Sequence, residues 1–342
     1  MGNALDPMLQ TAWLDLVERA HAATPPAGQP GIHIERIRGG RPYLYHRAYD
    51  PALGKQRDRY LGPATPELRE RIARQEAGQQ ARRNRVRVVR ALVAGGLPAP
   101  PAAIGRLLAA LAEAGLFRLR ATLIGTHAFA LYGPILGVRM PGALQATLDV
   151  DVAQPPDVSL GVDDTLDAPL LDVLRRVDPG FEPVAGLDGK AWPWRFAAPS
   201  GLRLEVLASR RGAGGRGGIV KLPALLAGGQ VMDFMDYLLW ETVPAVVLHD
   251  AGVPVVIPAP ARFAVHKLIV AARRTGPDAS KARKDLDQAA LMLDVLRHER
   301  GGELAAAWDE AVARGTAWEE ALTTTLARLP PALRDHLSAR RS

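Results

Sequence analysis

Apolar and polar positions divide the chain into stretches of different period. Residues 8–20 carry apolar side chains at helical spacing. Between Ile32 and Leu61 the period shortens. IHIERI and RPYLYHRAY alternate apolar with polar residues, DPALGKQ supplies turn formers, and RDRYLG resumes. That pattern predicts a small β-hairpin module. Thr65-Pro66-Glu67 then opens a helix: a hydroxyl to cap the first amides, a proline in the first turn, and an acid near the positive end of the dipole. This helix is expected to run to about Val93, where GGLPAPP stops it. A second is expected over 102–114, with Leu107, Leu108 and Leu111 on one face.

From Phe117 onward strands alternate with helices. FRLRATLI reads as a strand, THAFALYG as a short helix, and ATLDVDVA as a strand. DDTLDAPLLDVLRRVD has Leu166, Leu170, Leu171, Leu174 and Val177 at helical spacing. FEPV, WPWRFAA and LRLEVLA read as strands, and PAVVLHDAGVPVVIP as a hairpin around Asp250-Ala251-Gly252. The remainder is helical. PARFAVHKLIVAARR and SKARKDLDQAALMLDVLRH are two helices, and at least two more follow. The expected fold class is α/β (α+β): an N-terminal hairpin-and-helix appendage over 1–115, a mixed-sheet core over 116–258, and a helical region over 259–342.

Composition narrows the classes. The 342 residues are 48% hydrophobic, enough for a sizeable core and too many for a disordered chain. No run of about 18 apolar residues exists, so no membrane-spanning helix is expected. The start, MGNALDPMLQ, lacks the basic and apolar regions of a secretory signal, and Asp6 stands where N-myristoylation wants Ser or Thr. There are no cysteines. Disulfide scaffolds, thiolate zinc sites and cysteine nucleophiles are excluded, and a reducing cytoplasm is the expected setting. The net charge of +7 is unevenly placed. Residues 1–120 hold 19 basic and 10 acidic residues, whereas residues 121–342 hold 24 and 26. The surplus is densest at Arg82, Arg83, Arg85, Arg87 and Arg90. A basic arm on a near-neutral body suits a polyanion such as RNA or DNA; a solvated helix face is the plainer alternative.

The chemistry is concentrated in a few carboxylates. In ATLDVDVA, alternation sends Leu148, Val150 and Val152 to one face, taken as the core, and Asp149 and Asp151 to the other. Two carboxylates whose α-carbons lie about 6.6 Å apart, at roughly 3.3 Å per residue, are able to bridge divalent cations. Two-metal nucleotidyl chemistry needs such a clamp. A surface strand with two solvated aspartates has the same pattern. Upstream, Gly125 and Thr126 stand between a strand and a helix, where a glycine lets backbone amides approach a phosphate. Downstream, Glu205 offers a third acid, as metal ligand or as base for an acceptor hydroxyl. Alternation places it on one face with Arg203, opposite Leu202, Leu204 and Val206. An edge-strand charge would look the same. Lys267 lies on an otherwise apolar helix face and needs an anionic partner, either a phosphate chain or Asp285. Lys281 and Lys284 share a helix face and, with Arg273 and Arg274, are candidates for a phosphate clamp.

This arrangement resembles the nucleotidyltransferase superfamily typified by DNA polymerase β. IGTHAFALYGPILGVR followed by TLDVDVA is similar to a bacterial family of nucleotidyltransferase-like proteins. Those proteins also carry a hairpin ending in RYLGP, as at residues 59–63, a P-x-P-x-x-F-A-x-H-K-L-I-V helix and a K-x-x-K-D-L-x-Q-A helix. The resemblance covers about residues 31–298. More distantly, the layout is similar to AbiE-type toxin nucleotidyltransferases. The resemblance implies a nucleotidyltransferase-fold core, with an NTP as co-substrate and Mg²⁺ (or Mn²⁺) on Asp149 and Asp151. It implies phosphate contacts at Gly125 and Thr126, a triphosphate contact at Lys267 and a polar role for Asp285. The family's usual Gly-Gly or Gly-Ser is Gly-Thr here, which keeps the hydroxyl. The basic arm makes RNA, tRNA by analogy with the toxins, the expected acceptor. Modification of a protein or an antibiotic is a further possibility. A non-catalytic nucleotide- or RNA-binding module of a toxin–antitoxin or defence system is the alternative.

Other signals carry less. GAGGRG at 212–217 matches a dinucleotide fingerprint, but no helix opens promptly after it. No P-loop and no H-E-x-x-H motif occurs. His127 and His266 suit capping or packing. Trp192 and Trp194 are able to stack a base, although core packing is the commoner fate of tryptophan.

Overall fold

The computed structural model describes residues 4–23, 31–50, 53–141, 147–161, 163–184, 192–210, 218–274 and 279–339. Helix α1 (Pro7–His21) starts at Asp6, whose carboxylate accepts from the Met8 amide at 2.7 Å. Strands β1 (Ile32–Arg38), β2 (Arg41–Asp50) and β3 (Lys55–Pro63) pair antiparallel in that order. The expected hairpin is therefore a three-stranded sheet. Helix α2 (Pro66–Ala94) begins at Thr65, whose hydroxyl accepts from the Leu68 amide. Its first turns press Leu68 and Ile72 on Leu44, a small core of their own. Its last turns place Val89 and Leu92 in the main core, so one long helix ties appendage to body. Two of its five clustered arginines serve that attachment. Arg82 pairs with Asp250, and Arg85 Nε donates to the Ala251 carbonyl at 3.2 Å. Helix α3 (Ala102–Glu113) buries Leu107, Leu108 and Leu111 completely.

The central sheet is mixed. It contains β4 (Thr122–Ile124), β5 (Asp149–Gln154), β6 (Glu182–Pro183), β7 (Arg195–Ala197), β8 (Arg203–Ser209), β9 (Ile219–Leu222) and β10 (Ala227–Met232). The order is β4-β5-β8-β10-β9, with β7 pairing the first half of β8 and carrying β6. β8 runs parallel to both β5 and β10; the other pairs are antiparallel. Short helices α4 (Gly125–Phe129), α5 (Tyr132–Leu136), α6 (Pro156–Gly161), α7 (Leu170–Val177) and α8 (Met235–Leu239) connect the strands. A hairpin of β11 (Thr242–Val247) and β12 (Val253–Pro258) follows. The chain then becomes helical through α9 (Pro260–Arg273), α10 (Ala279–Glu299), α11 (Gly301–Ala313), α12 (Thr316–Leu326) and α13 (Pro331–Ser338). One hydrophobic core runs from Leu5 to Leu337. Among the described residues no helix is long and apolar enough to cross a membrane.

Some elements differ from the sequence pattern. The strand expected from Phe117 begins only at Thr122, because the chain turns first, with Arg120 at φ +63°. Leu116, Phe117 and Leu119 are buried all the same, so their apolar character reflects position in the core rather than strand period. The helix expected over 163–178 starts at Leu170, after Pro169, and Leu166 reaches the core from a loop. Leu148 is 44% exposed, one residue ahead of β5, and does not join Val150 and Val152. β10 carries little strand signal because Gly228 and Gly229 interrupt it. A Cβ at Gly228 would lie 2.4 Å from the Trp192 carbonyl oxygen, so close backbone approach requires the glycine.

Candidate active site

Strand β5 sets the geometry. Val150 and Val152 are fully buried on one face, which leaves Asp149 and Asp151 half-buried on the other. The parallel neighbour β8 obeys the same alternation: Leu204 and Val206 are fully buried and Glu205 is half-buried. Its register places Glu205 directly beside Asp151, and Arg203 beside Asp149. Glu205 is not an edge charge, since β7 flanks β8 on the other side and brings Arg195 opposite it. Arg195 Nε lies 2.9 Å from Glu205 Oε1, and its guanidinium stacks on Trp194 at 4.5 Å. Arg203 stands 3.8 Å from Asp149 Oδ1. Alternation alone indicated which face these acids occupy. Only the register shows that they are neighbours, and nothing in the sequence marked Arg195.

The strand on the other side of β5 supplies the bend. Ile124 pairs with Asp151, and the chain then turns at Gly125 with φ +69°. A Cβ at Gly125 would lie 2.5 Å from Asp151 Oδ2. The glycine is needed both for its backbone angle and for the carboxylate packed on it. Thr126 is half-buried next to it, whereas His127 is buried. The His127 ring sits against the Asp149 backbone and is held down at about 4, by burial first and then by Lys284. It is therefore a neutral packing group at neutral pH.

Helices α9 and α10 bring cations toward this edge. Lys267 Nζ donates to Asp285 Oδ1 at 2.5 Å, and Arg274 Nε is 2.8 Å from Asp285 Oδ2, close enough for an ion pair but poorly aligned as a hydrogen bond. The Asp285 side chain is 6% exposed and that of Lys267 12%. Lys284 is half-buried and held below its usual range, by burial first and then by Lys267, against the pull of Asp285 and Asp149. Asp151 registers the whole arrangement. Burial, then Glu205 and Asp149, push its carboxyl up to about 6, while Lys267 and Arg274 partly offset them. The helical cations thus act on the sheet's carboxylates.

Other candidates lie apart. Arg273, the last residue of α9, stacks on Phe234 at 4.9 Å, whereas Arg274 leaves the helix with extended backbone and turns to Asp285. Lys281 is exposed. Trp192 is 43% exposed, with the Lys221 amine 4.4 Å from its ring centre. Most of the glycine-rich segment, 211–217, lies outside the described residues.

Three carboxylates on neighbouring strands form a hard-oxygen donor set, the kind Mg²⁺ or Mn²⁺ prefers. The Gly125 bend leaves room beside Asp151 that any Cβ would fill. In donor type the residues suit a divalent ion. As they stand, no group of three or more His, Asp or Glu among the described residues converges as a metal site.

A family model agrees with this chemistry. Residues 102–313 match the model of a family described as nucleotidyltransferase. The match spans α3 to α11 and includes Gly125, Asp149, Asp151, Glu205, Lys267 and Asp285. A solved antigenic nucleotidyltransferase-like protein from Paracoccidioides brasiliensis is similar at 17% identity over 66% of this chain and 95% of that one. Its TM-score of 0.31 is too low to carry an argument about fold or function. No curated protein matches the chain. The family model covers more than half of the sequence and every carboxylate of the site, so the chain belongs to this nucleotidyltransferase family and is a transferase.

Proposed function

We propose that the protein transfers a nucleoside monophosphate from an NTP to an acceptor hydroxyl on RNA, with Mg²⁺ required, and acts as a toxin-like modifier of tRNA. The observation that carries this reading is the register that sets Asp149, Asp151 and Glu205 side by side next to the Gly125 bend. Asp149, Asp151 and Glu205 would hold the divalent ion, which when bound neutralises phosphate charge and orients the reacting oxygens. The backbone at Gly125 and the Thr126 hydroxyl contact the β- and γ-phosphates. Lys267 and Lys284 supply positive charge to the triphosphate, where preorganised charge lowers the barrier to pyrophosphate departure. Asp285, held between Lys267 and Arg274, positions the Lys267 amine. Glu205 either completes the ligand set or takes the proton of the acceptor hydroxyl.

A second reading has its own support. Asp149 and Glu205 already face arginines, and Lys267 already has its carboxylate. Charges satisfied internally suit a fold kept for nucleotide or RNA binding without turnover. Transfer of label from radiolabelled NTPs to total RNA, protein and small hydroxyl compounds tests the first reading, which fails if wild type labels nothing beyond Asp149→Ala. Thermal shift separates the two. Nucleotide stabilisation that needs Mg²⁺ and disappears in Asp151→Asn supports transfer, whereas metal-independent binding supports the module.

A further inference from the structure

The three-stranded sheet of the appendage has two unlike faces. On one, Leu44 packs on Leu68 and Ile72 of α2, His33 Nδ1 contacts Glu76, and Glu35 pairs with Arg69 at 2.6 Å. Helix α2 packs on the middle of that face, and Ile37 at its end is 73% exposed. Strand alternation turns Arg41, Tyr43, Tyr45, Arg47 and Tyr49 of β2 to the opposite face. The register adds Ile32, Ile34, Arg36 and Arg38 from β1, and Gln56, Asp58 and Tyr60 from β3.

This second face interleaves aromatic rings with guanidinium groups. Tyr60 lies 5.5 Å from Tyr45 and 6.1 Å from Tyr43, centre to centre. Arg36 and Arg38 sit over the Tyr45 ring at 5.4 and 5.7 Å. Tyr45 is thereby buried under its own neighbours, while Tyr60 is 54% and Tyr49 65% exposed. Asp58 is the one acid on this face among the described residues. It binds Arg47 at 2.7 Å and pairs with Arg36 as well. Arg38 and Arg41 are exposed at the turn joining β1 to β2, and no ion pair among the described residues uses them. Four arginines against one aspartate leave the face strongly cationic.

We propose that this face is a binding platform for a single-stranded nucleic acid. Every base has a π-face able to stack on an exposed tyrosine, and the phosphates between bases match the arginines in charge. Tyr49 and Tyr60 are the stacking rings, and Arg38 and Arg41 the phosphate contacts. Asp58 fixes Arg36 and Arg47 in place, so the platform is rigid before the strand arrives. The inference deepens the RNA-acceptor reading above and rests on it only for the strand's role as acceptor; binding itself needs neither metal nor NTP.

The test is fluorescence anisotropy of the full chain with labelled 12-residue oligonucleotides, single-stranded RNA and single-stranded DNA in separate arms. Wild type should bind single strands better than the matching duplex. Each of Tyr49→Ala and Tyr60→Ala should weaken binding about fivefold or more, and Tyr60→Phe, which keeps the ring, should stay within about twofold of wild type. The double change Arg38→Gln and Arg41→Gln should lower the log–log salt slope by about 1.4, at roughly 0.7 per phosphate contact. Preference for RNA over DNA would support contacts to the 2′-hydroxyl in addition to stacking; equal binding supports stacking and charge alone. Asp149→Ala should leave binding intact, so loss of transfer and loss of the platform are read separately. The proposal is overturned if wild type binds no single strand at 50 mM salt, or if the tyrosine variants bind as wild type does. It is also overturned if those variants alter only the sedimentation of the protein, which would make the face a contact between copies.

Discussion

Replacing Gly125 by alanine perturbs two quantities at once. At φ +69° an alanine costs about 1–2 kcal/mol more than glycine. Its Cβ would also meet Asp151 Oδ2 at 2.5 Å, whereas ordinary contact begins near 3.4 Å. The carboxylate must therefore retreat by about 1 Å. It has to do so by side-chain rotation, because β4 and β8 hold the β5 backbone from both sides. A misplacement of about 1 Å in a reacting constellation costs on the order of 100-fold in rate. Gly54→Ala is the control: its φ is +61°, and a Cβ there meets nothing within 4 Å. Urea unfolding should show Gly54→Ala losing roughly 1–2 kcal/mol and Gly125→Ala at least as much. Only Gly125→Ala should lose Mg²⁺-dependent nucleotide stabilisation and NTP labelling. If Gly125→Ala keeps both within threefold of wild type, or if Gly54→Ala loses them as well, the argument that this bend shapes the carboxylate site is wrong.

Three further outcomes follow from the same geometry. Asp285→Asn leaves Lys267 and Arg274 facing each other in a buried setting and should cost about 3–5 kcal/mol in urea unfolding; Lys267→Met leaves Asp285 with Arg274 and should cost less, and equal losses would refute the asymmetry. Asp151→Asn removes an ionised carboxyl that its neighbours disfavour, so it should raise the melting temperature without metal while abolishing Mg²⁺-dependent nucleotide binding; a lower melting temperature would show that the carboxylates are not in conflict. His266 is held down at about 3, by burial first and then by Lys267 and Arg274. The unfolded ring accepts its proton near pH 6.5 while the folded one does not, so this group's contribution to stability is present above pH 6.5 and lost as pH falls, by about 1.4 kcal/mol per pH unit. His266→Gln should remove roughly 2 kcal/mol of that loss between pH 6.5 and 5, and wild-type and variant profiles that run parallel would contradict it.

Much of this molecule was legible in its residues because local physics decided it. Thr65-Pro66 caps and opens α2 where the hydroxyl and the fixed proline angle predict. Period-2 alternation separates Val150 and Val152 from Asp149 and Asp151 without reference to any other strand. The Gly-Thr bend, the D-x-D strand and the His-Lys helix likewise stand as contiguous patterns, and contiguity is what a sequence records directly. Strand partnership is not contiguous. The placement of Glu205 beside Asp151, with Arg195 on its far side, depends on hydrogen-bond registers between segments about 10 to 54 residues apart. The same holds for Lys267, Arg274 and Lys284, whose influence on the carboxylates comes from helix packing. Two arginines that looked like part of a solvated basic run hold α2 to the Asp250–Ala251 turn. Residue types and their local period thus determine which groups are offered and to which side of an element. Which charges meet, which neutralise one another and which stay open to a ligand is decided only when distant segments share one core, since electrostatic energy depends on separation through space and not along the chain.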